Sequence, residues 1–395
     1  MEYMTTTEDA EKWGVNIRQV QRLIAANRIP GAKRYQRLWL IPQDTADPGD
    51  RHNKKRTPQN DLQADFAYIL SADKPTSPRG NPESVLDTIS DGRLRGIAEG
   101  VFAYMRGDFE GVKERYIQNK GDDAVQLYWS GIPIAAAIST GDYALYTEIE
   151  IFLKSMIEGG INDEITAYAE LSLASAYLGA SAPKMIPEWI KNGDFSLLPP
   201  QAIPNAAQMR ARYFHCTGNY EALLNVAQTA LSFFDSPNGQ SIQSVYLRIM
   251  CAFAYFATGR AKEAKLWLLD VMDILLPHGF ITPFAEHYLI FGGLMEQCIT
   301  QKYPQYHKTV VSQAKDTLGN WFSFHNHFTK DNIRLILSMR DYQIALLVSR
   351  GVPYKQIAEQ FHLSVGTLKN IMTTVYESLL ITENNRKRGL SKYLL

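Results

Sequence analysis

The sequence predicts a mostly α-helical chain, and three observations carry that expectation. Between about residues 84 and 328, Ala, Leu, Glu, Gln, Met and Lys recur at three-to-four spacing while Val, Thr and Ile are sparse. A glycine-centred hexapeptide returns along the same span, as paired helices joined by tight turns require. Strand signals gather near residues 32–42, where Ala32-Lys33-Arg34-Tyr35 and Leu38-Trp39-Leu40-Ile41 flank Gln36-Arg37.

The first 47 residues open with Met4 to Val15 as a capped short helix. Asn16 then caps a second helix, Ile17 to Ala26. Its buried face is Ile17, Val20 and Ile24, at i, i+3 and i+7; Arg18, Gln19 and Arg22 project from the other side. Asn27 to Gly31 ends it, and the small hairpin follows. Helix, turn, helix and basic wing resemble the MerR or excisionase-like winged helix-turn-helix, most specifically in the Arg37-Leu38-Trp39-Leu40-Ile41-Pro42 strand. The resemblance implies that Arg18, Gln19 and Arg22 meet a DNA groove. It places Arg34 and Arg37 on a neighbouring backbone or minor groove.

Residues 48–83 read as a linker. Pro48, Gly49, Pro58, Pro75, Pro78, Gly80 and Pro82 break regular structure, although 62–70 has room for a helical turn or two. The Lys54-Lys55-Arg56 run within it suits either phosphate contact or plain solvation.

The span 84–328 carries the repeat. Tyr104-Met105-Arg106-Gly107-Asp108-Phe109 returns as Ile138-Ser139-Thr140-Gly141-Asp142-Tyr143, with the glycines 34 residues apart. It returns again around Gly218 and Gly259. A weaker copy surrounds Gly179, and a further connection falls near Gln301-Lys302-Tyr303. Glycine suits a left-handed turn ending a helix, and the aromatic two residues later can plug the gap between paired helices. The pattern resembles tetratricopeptide-like helical hairpins, although the later glycine spacings of 38, 39 and 41 exceed that repeat. An unrelated helical bundle is the alternative. Tyr213, Phe214, Tyr246, Tyr255, Phe256 and Tyr288 are candidates to line a ligand groove, or else hairpin core.

Residues 329–395 hold the most specific signal. Leu337 to Gly351, Lys355 to Phe361 and His362 to Asn370 read as helix, scaffold helix, tight turn and recognition helix. Ser364 is a natural N-cap. Leu368, Met372, Val375 and Leu379 form one apolar stripe, with Gly366, Lys369, Asn370 and Thr373 roughly opposite. Lys suits guanine edges or phosphate, and Asn suits adenine. The segment strongly resembles the LuxR-type helix-turn-helix. The resemblance implies base contacts from Lys369, Asn370 and Thr373, and phosphate contacts near Lys355, Ser364 and Thr367. Ile371, Met339 and Leu380 depart from the usual His, Pro and Gly. Those departures bear on the target sequence more than on the fold. The resemblance also implies a homodimer or higher closed oligomer through about residues 383–395, where Leu390, Tyr393, Leu394 and Leu395 are apolar; packing on the same chain is the alternative.

Charge follows the same division. Residues 1–60 carry 11 basic against 7 acidic residues and residues 330–395 carry 10 against 5, while the middle carries 20 against 29. Basic ends around an acidic centre suit ends that meet a polyanion. No apolar run approaches the roughly 20 residues of a membrane span. Cys216, Cys251 and Cys298 are scattered, with no CxxC, and the start Met1 to Thr5 lacks the marks of a secretory signal. These features place the expected protein in a reduced cytoplasm, away from membranes. No phosphate loop, HExxH, GxSxG or Gly-rich dinucleotide turn is present, so neither an enzyme nor a cofactor is expected. His325 and His327, two apart on a helix, read as packing rather than a metal pair.

The expected architecture is therefore an N-terminal winged helix-turn-helix over 1–47, a linker over 48–83, an α-helical-hairpin solenoid over 84–328 and a four-helix helix-turn-helix over 329–395. The expected function is a sequence-specific transcription regulator binding double-stranded DNA. Its helical middle senses a small-molecule or peptide effector or drives assembly. The runner-up is a helical-repeat interaction scaffold, or an excisionase-like architectural partner whose ends do not regulate genes.

Overall fold

A computed structural model describes residues 3–13, 17, 20–21, 24, 29, 31–35, 38–43, 45, 59–71, 82–234, 241–291, 293–330, 337, 339–378, 381 and 390. They are mostly helical, with one small sheet, and fall into two compact units, 1–58 and 59–395. Each unit is described by itself.

In the first unit, strand β1 (Tyr3–Thr5) leads into helix α1 (Thr6–Trp13), followed by β2 (Lys33–Tyr35) and β3 (Leu38–Pro42). The expected hairpin pairs Arg34 with Trp39, and β1 adds on the other side of β3, with Met4 opposite Ile41. That third strand was not expected, since Met4 was read as helical. The helix starts at Thr6 because Thr5 and Glu8 form a reciprocal capping box. The Thr5 N–H donates to Glu8 Oε2 at 2.7 Å, and the Glu8 N–H donates to Thr5 Oγ1 at 3.4 Å. Ala10, Val20, Ile24, Ile29 and Ile41 form the core. Ile17 does not join it: it is 41% exposed, against the expected buried face. Asn16, Arg18, Gln19, Arg22 and Arg37 lie outside the described residues.

The second unit begins inside the expected linker, where the sequence left room for a helical turn or two over 62–70. Residues 59–71 form helix α2 (Gln59–Ser71), and Leu62, Phe66, Ile69 and Leu70 are buried in the main core. Their i, i+4, i+7, i+8 spacing makes one apolar face, which packs on a later helix, α6. The helices that follow are α3 (Pro82–Thr88), α4 (Gly92–Arg106), α5 (Phe109–Gln118), α6 (Asp123–Trp129), α7 (Gly131–Thr140), α8 (Tyr143–Gly159) and α9 (Asp163–Gly179). After them come α10 (Glu188–Asn192), α11 (Ile203–Thr217), α12 (Tyr220–Phe234), α13 (Ile242–Ala257), α14 (Ala261–Leu275), α15 (Thr282–His287) and α16 (Gly293–Lys302). The long α17 (Pro304–Thr329) precedes α18 (Met339–Ser349), α19 (Tyr354–Gln360) and α20 (Val365–Ser378).

Turn-joined neighbours pack on each other, as in α4 with α5, α11 with α12, and α13 with α14. Gly107, Gly141, Gly218 and Gly259 all take the left-handed conformation, at φ between 74° and 82°. At the weaker copy, α9 runs on to Gly179 and the left-handed residue is Ser181 instead, with the Ala182 N–H closing on Tyr177 O at 2.7 Å. No glycine marks the connection at Tyr303. All sheet structure among the described residues lies within residues 3–42.

Helix α17 departs from simple pairing. It lies against α7, α15 and α16 and donates to the carbonyl ends of earlier helices. Asn320 Nδ2 meets Ser139 O, Trp321 Nε1 meets Gly179 O and His325 Nδ1 meets Ala180 O, each at 2.8 Å. His325 is buried, and His327 stands edge-on to Tyr143. Gly141→Val tests this packing together with the turn. A Cβ at Gly141 would sit 2.8 Å from Asn320 Oδ1, on a backbone that a β-branched residue disfavours. The variant is expected to lose at least about 1 kcal/mol in urea unfolding; unchanged stability would contradict the packing of the turn.

Candidate functional site

The C-terminal helices are built around a small core of their own. Ile344, Ala345, Ile357, Ala358, Leu368, Met372 and Val375 are buried there, joined by Phe322 from α17. Leu379 lies outside the described residues, and Tyr376 adds a buried ring to the expected stripe. The turn from α19 into α20 is short because His362 adopts φ 53°, with the Leu363 N–H reaching back to Ala358 O at 2.8 Å. Ser364 caps α20 as expected: its Oγ accepts the Thr367 N–H at 3.0 Å and lies 2.9 Å from Thr367 Oγ1. These two hydroxyls thus already have a structural task.

With one face of α20 in the core, the other is open. Gly366, Thr367, Lys369, Asn370 and Thr373 are exposed, and so is Lys355 on α19. Thr373 Oγ1 donates to Lys369 O at 3.0 Å, which turns its methyl and lone pairs outward. The ammonium groups of Lys355 and Lys369 make no ion pair or hydrogen bond among the described residues. The structure therefore collects six of the expected residues on the second unit: Lys355, Ser364, Thr367, Lys369, Asn370 and Thr373. In the first unit Arg34 is exposed on β2. Arg18, Gln19, Arg22 and Arg37 are not described. Leu390 is fully buried in the C-terminal core of its own chain, which for this residue is the same-chain packing given as the alternative. Tyr393, Leu394 and Leu395 are outside the described residues.

These helices are held to the rest of the unit by contacts that the sequence did not announce. Tyr342 on α18 packs against Trp321 and Phe322 of α17. Arg350, at the end of α18, stands 5.8 Å over the Phe253 ring and donates Nη1–H to His215 Nε2 at 3.3 Å. Gln356 Nε2 donates to Phe256 O.

His215 must be neutral to accept from a guanidinium. Burial holds it well below the ordinary imidazole range, and Arg350, His287 and Arg212 add to that. His287 is lowered by burial as well, against the raising effect of Glu286. Unfolding restores both to ordinary values near 6.5, so on acidification the unfolded chain takes up protons first. Stability is full above about pH 6.5 and is lost as the pH falls below it. Between pH 7 and about 5.5 the unfolding free energy from urea titration is expected to drop, by at most about 1.4 kcal/mol per pH unit for each histidine. His215→Gln keeps an acceptor for Arg350 and should flatten the profile. A level wild-type profile over that range would contradict the assignment.

A cavity of about 230 Å³ lies among the preceding helices of the same unit. Helices α4, α6, α7, α9, α11, α13, α15 and α17 all contribute to its wall. Of the expected groove aromatics, Tyr246 lines it. The others are packed: Tyr255 stacks on Trp267, Phe256 meets Phe291, Tyr213 lies against Phe214, and Tyr288 faces His307. Glu286 accepts hydroxyl protons from Tyr104 and, at 2.6 Å, from Tyr246. Burial first, and then Glu286, pushes both phenols well up, so they remain donors. Arg212 lines the cavity too and makes no hydrogen bond or ion pair among the described residues. A second cavity of about 140 Å³ shares Arg212, Glu286, Thr317 and Trp321 with the first and reaches Tyr342 and Arg350.

Arg212 and Glu286 were missed. The signal for Glu286 was its place as a lone acid in the apolar run Phe280 to Phe291. Arg212 had no such signal, since Arg210 stands two residues before it on the same helix. Among the described residues no His, Cys, Asp and Glu cluster suits a metal ion, and no helix is long and apolar enough to cross a membrane. Comparison with protein-family models, curated proteins and solved structures finds no match for the chain.

Proposed function

We propose that the chain is a cytoplasmic, sequence-specific DNA-binding transcription regulator that acts by binding rather than catalysis. The observation that carries this reading is the division of α20. Leu368, Met372 and Val375 are no more than 1% exposed, while Lys369, Asn370 and Thr373 stand in solvent beside the bare backbone of Gly366. A short left-handed turn connects α19 to α20, which supports reading the pair as a helix-turn-helix whose second helix enters the major groove. The left-handed glycines at the ends of paired helices support a helical-hairpin solenoid between the termini. The capped α1, the hairpin and the exposed Arg34 support a winged module at the N-terminus. Two modules on one chain gain affinity together when their spacing matches the site.

The test is titration of the full chain with duplex DNA at rising salt. The expected log–log slope is about −0.9 per neutralised phosphate, with a preferred sequence surviving at salt that removes random DNA. A flat salt response, or equal affinity for all sequences, would overturn it.

A further inference from the structure

We propose that the 230 Å³ cavity is a binding site for a small α-ammonium carboxylate, an amino acid or dipeptide with an apolar side chain. Arg212 would receive its carboxylate and Glu286 its ammonium.

The chemistry of the wall points there. Arg212 and Glu286 line one cavity, yet do not pair with each other. A guanidinium taken partly out of water without an anion is costly, and a carboxylate is the planar partner that its fork fits. Glu286 already holds two tyrosine hydroxyls, but a carboxylate offers about four acceptor positions, so it can take an ammonium as well. Two further groups at the wall are unsatisfied. Thr317 Oγ1 and Trp129 Nε1 are buried without a hydrogen-bond partner among the described residues. Buried donors are seldom left so. The remaining wall is mixed: Ser172, Asn205 and Gln208 are polar, while Tyr128, Ile132 and Tyr168 offer a patch that suits a hydrophobic side chain. The volume is room for on the order of fifteen water-sized groups. A free amino acid or a dipeptide is of that size.

The same wall continues to the C-terminal helices. Arg212, Glu286, Thr317 and Trp321 border both cavities, and Trp321 touches Tyr342 of α18. A ligand seated on Arg212 therefore bears on the packing that holds α18 in place. That consequence rests on the DNA reading; the binding site does not.

Calorimetry on the full chain without DNA tests the site. The probes are the free amino acids and the dipeptide Leu-Phe, each beside its N-acetyl and C-amide forms. At least one α-ammonium carboxylate is expected to bind, and blocking either end should weaken it about tenfold or more. Arg212→Met should remove the preference for a free carboxylate, and Glu286→Gln the preference for a free ammonium. If Glu286→Gln fails to fold, the N-acetyl probe on the wild-type chain reports the same contact. Amino acid against dipeptide decides which source the cavity fits. No binding by any probe, blocked forms binding as well as free ones, or an Arg212→Met chain that still prefers the free carboxylate would each overturn the proposal. A DNA titration with and without the bound probe then reads the coupling, expected between about 5- and 150-fold. Ligand binding with unchanged DNA affinity would uphold the site and remove the coupling. Ligand binding with no DNA binding at all would overturn the regulator reading alone.

Discussion

Phe253→Ala is expected to lower the stability of the full chain by about 3–5 kcal/mol, the usual cost of emptying a large aromatic from a core. The ring is 1% exposed at the middle of α13, with His215, Tyr220 and Phe291 at centroid distances of 4.6, 5.6 and 5.8 Å. Arg350, just after α18, sits over it. Its removal would therefore open a cavity and strip the seat of the C-terminal helices together. A typical domain has about 5–15 kcal/mol in all, so the loss is a large share. Phe253→Leu separates the two effects. It keeps most of the volume and should cost less than about 1.5 kcal/mol of packing, while the cation loses its ring. Urea unfolding measures the loss, and limited proteolysis of residues beyond 329 reports the loosened helices. An alanine variant within about 1 kcal/mol of wild type would mean that this ring does not join the two parts.

What the sequence announced was local. A left-handed helix end excludes most side chains, so Gly107, Gly141, Gly218 and Gly259 advertise their turns from within a few residues. The Ser364 cap and the Leu368, Met372 and Val375 stripe are equally short-range, and both appear in the structure. What went unread was set by distant partners. Strand β1 is three residues whose mate is β3, nearly forty residues away, and three residues carry no period of their own. Helix α2 was read only as a turn or two over 62–70, because prolines flank it, although Leu62, Phe66 and Ile69 have helical spacing. The cavity depends on Tyr104 reaching Glu286 across 182 residues, which no local pattern records. Helix α17 looked like one more repeat. Its side chains instead end earlier helices, as Asn320 does at Ser139 and Trp321 at Gly179.

Asn370→Ala and Lys355→Ala are expected to weaken DNA binding in two different ways. On the proposed reading α20 lies in the major groove, and Asn370 is on its open face, between Lys369 and Thr373. A side-chain amide can pair bidentately with an adenine edge, so its loss removes about 1–3 kcal/mol of discrimination between a preferred operator and scrambled DNA. Affinity for scrambled DNA should hardly move. Lys355 belongs to α19, which crosses the backbone rather than entering the groove. Its exposed ammonium has no partner among the described residues and acts as a point charge. Lys355→Ala should therefore lower both affinities by the same factor and make the salt slope shallower by about one phosphate's share. Neither position is in the core, so both variants should unfold at the wild-type urea concentration, and any change in binding then belongs to the interface. If both variants weaken every sequence alike, α20 touches phosphate or shape only, and sequence choice has to come from the N-terminal unit with its exposed Arg34.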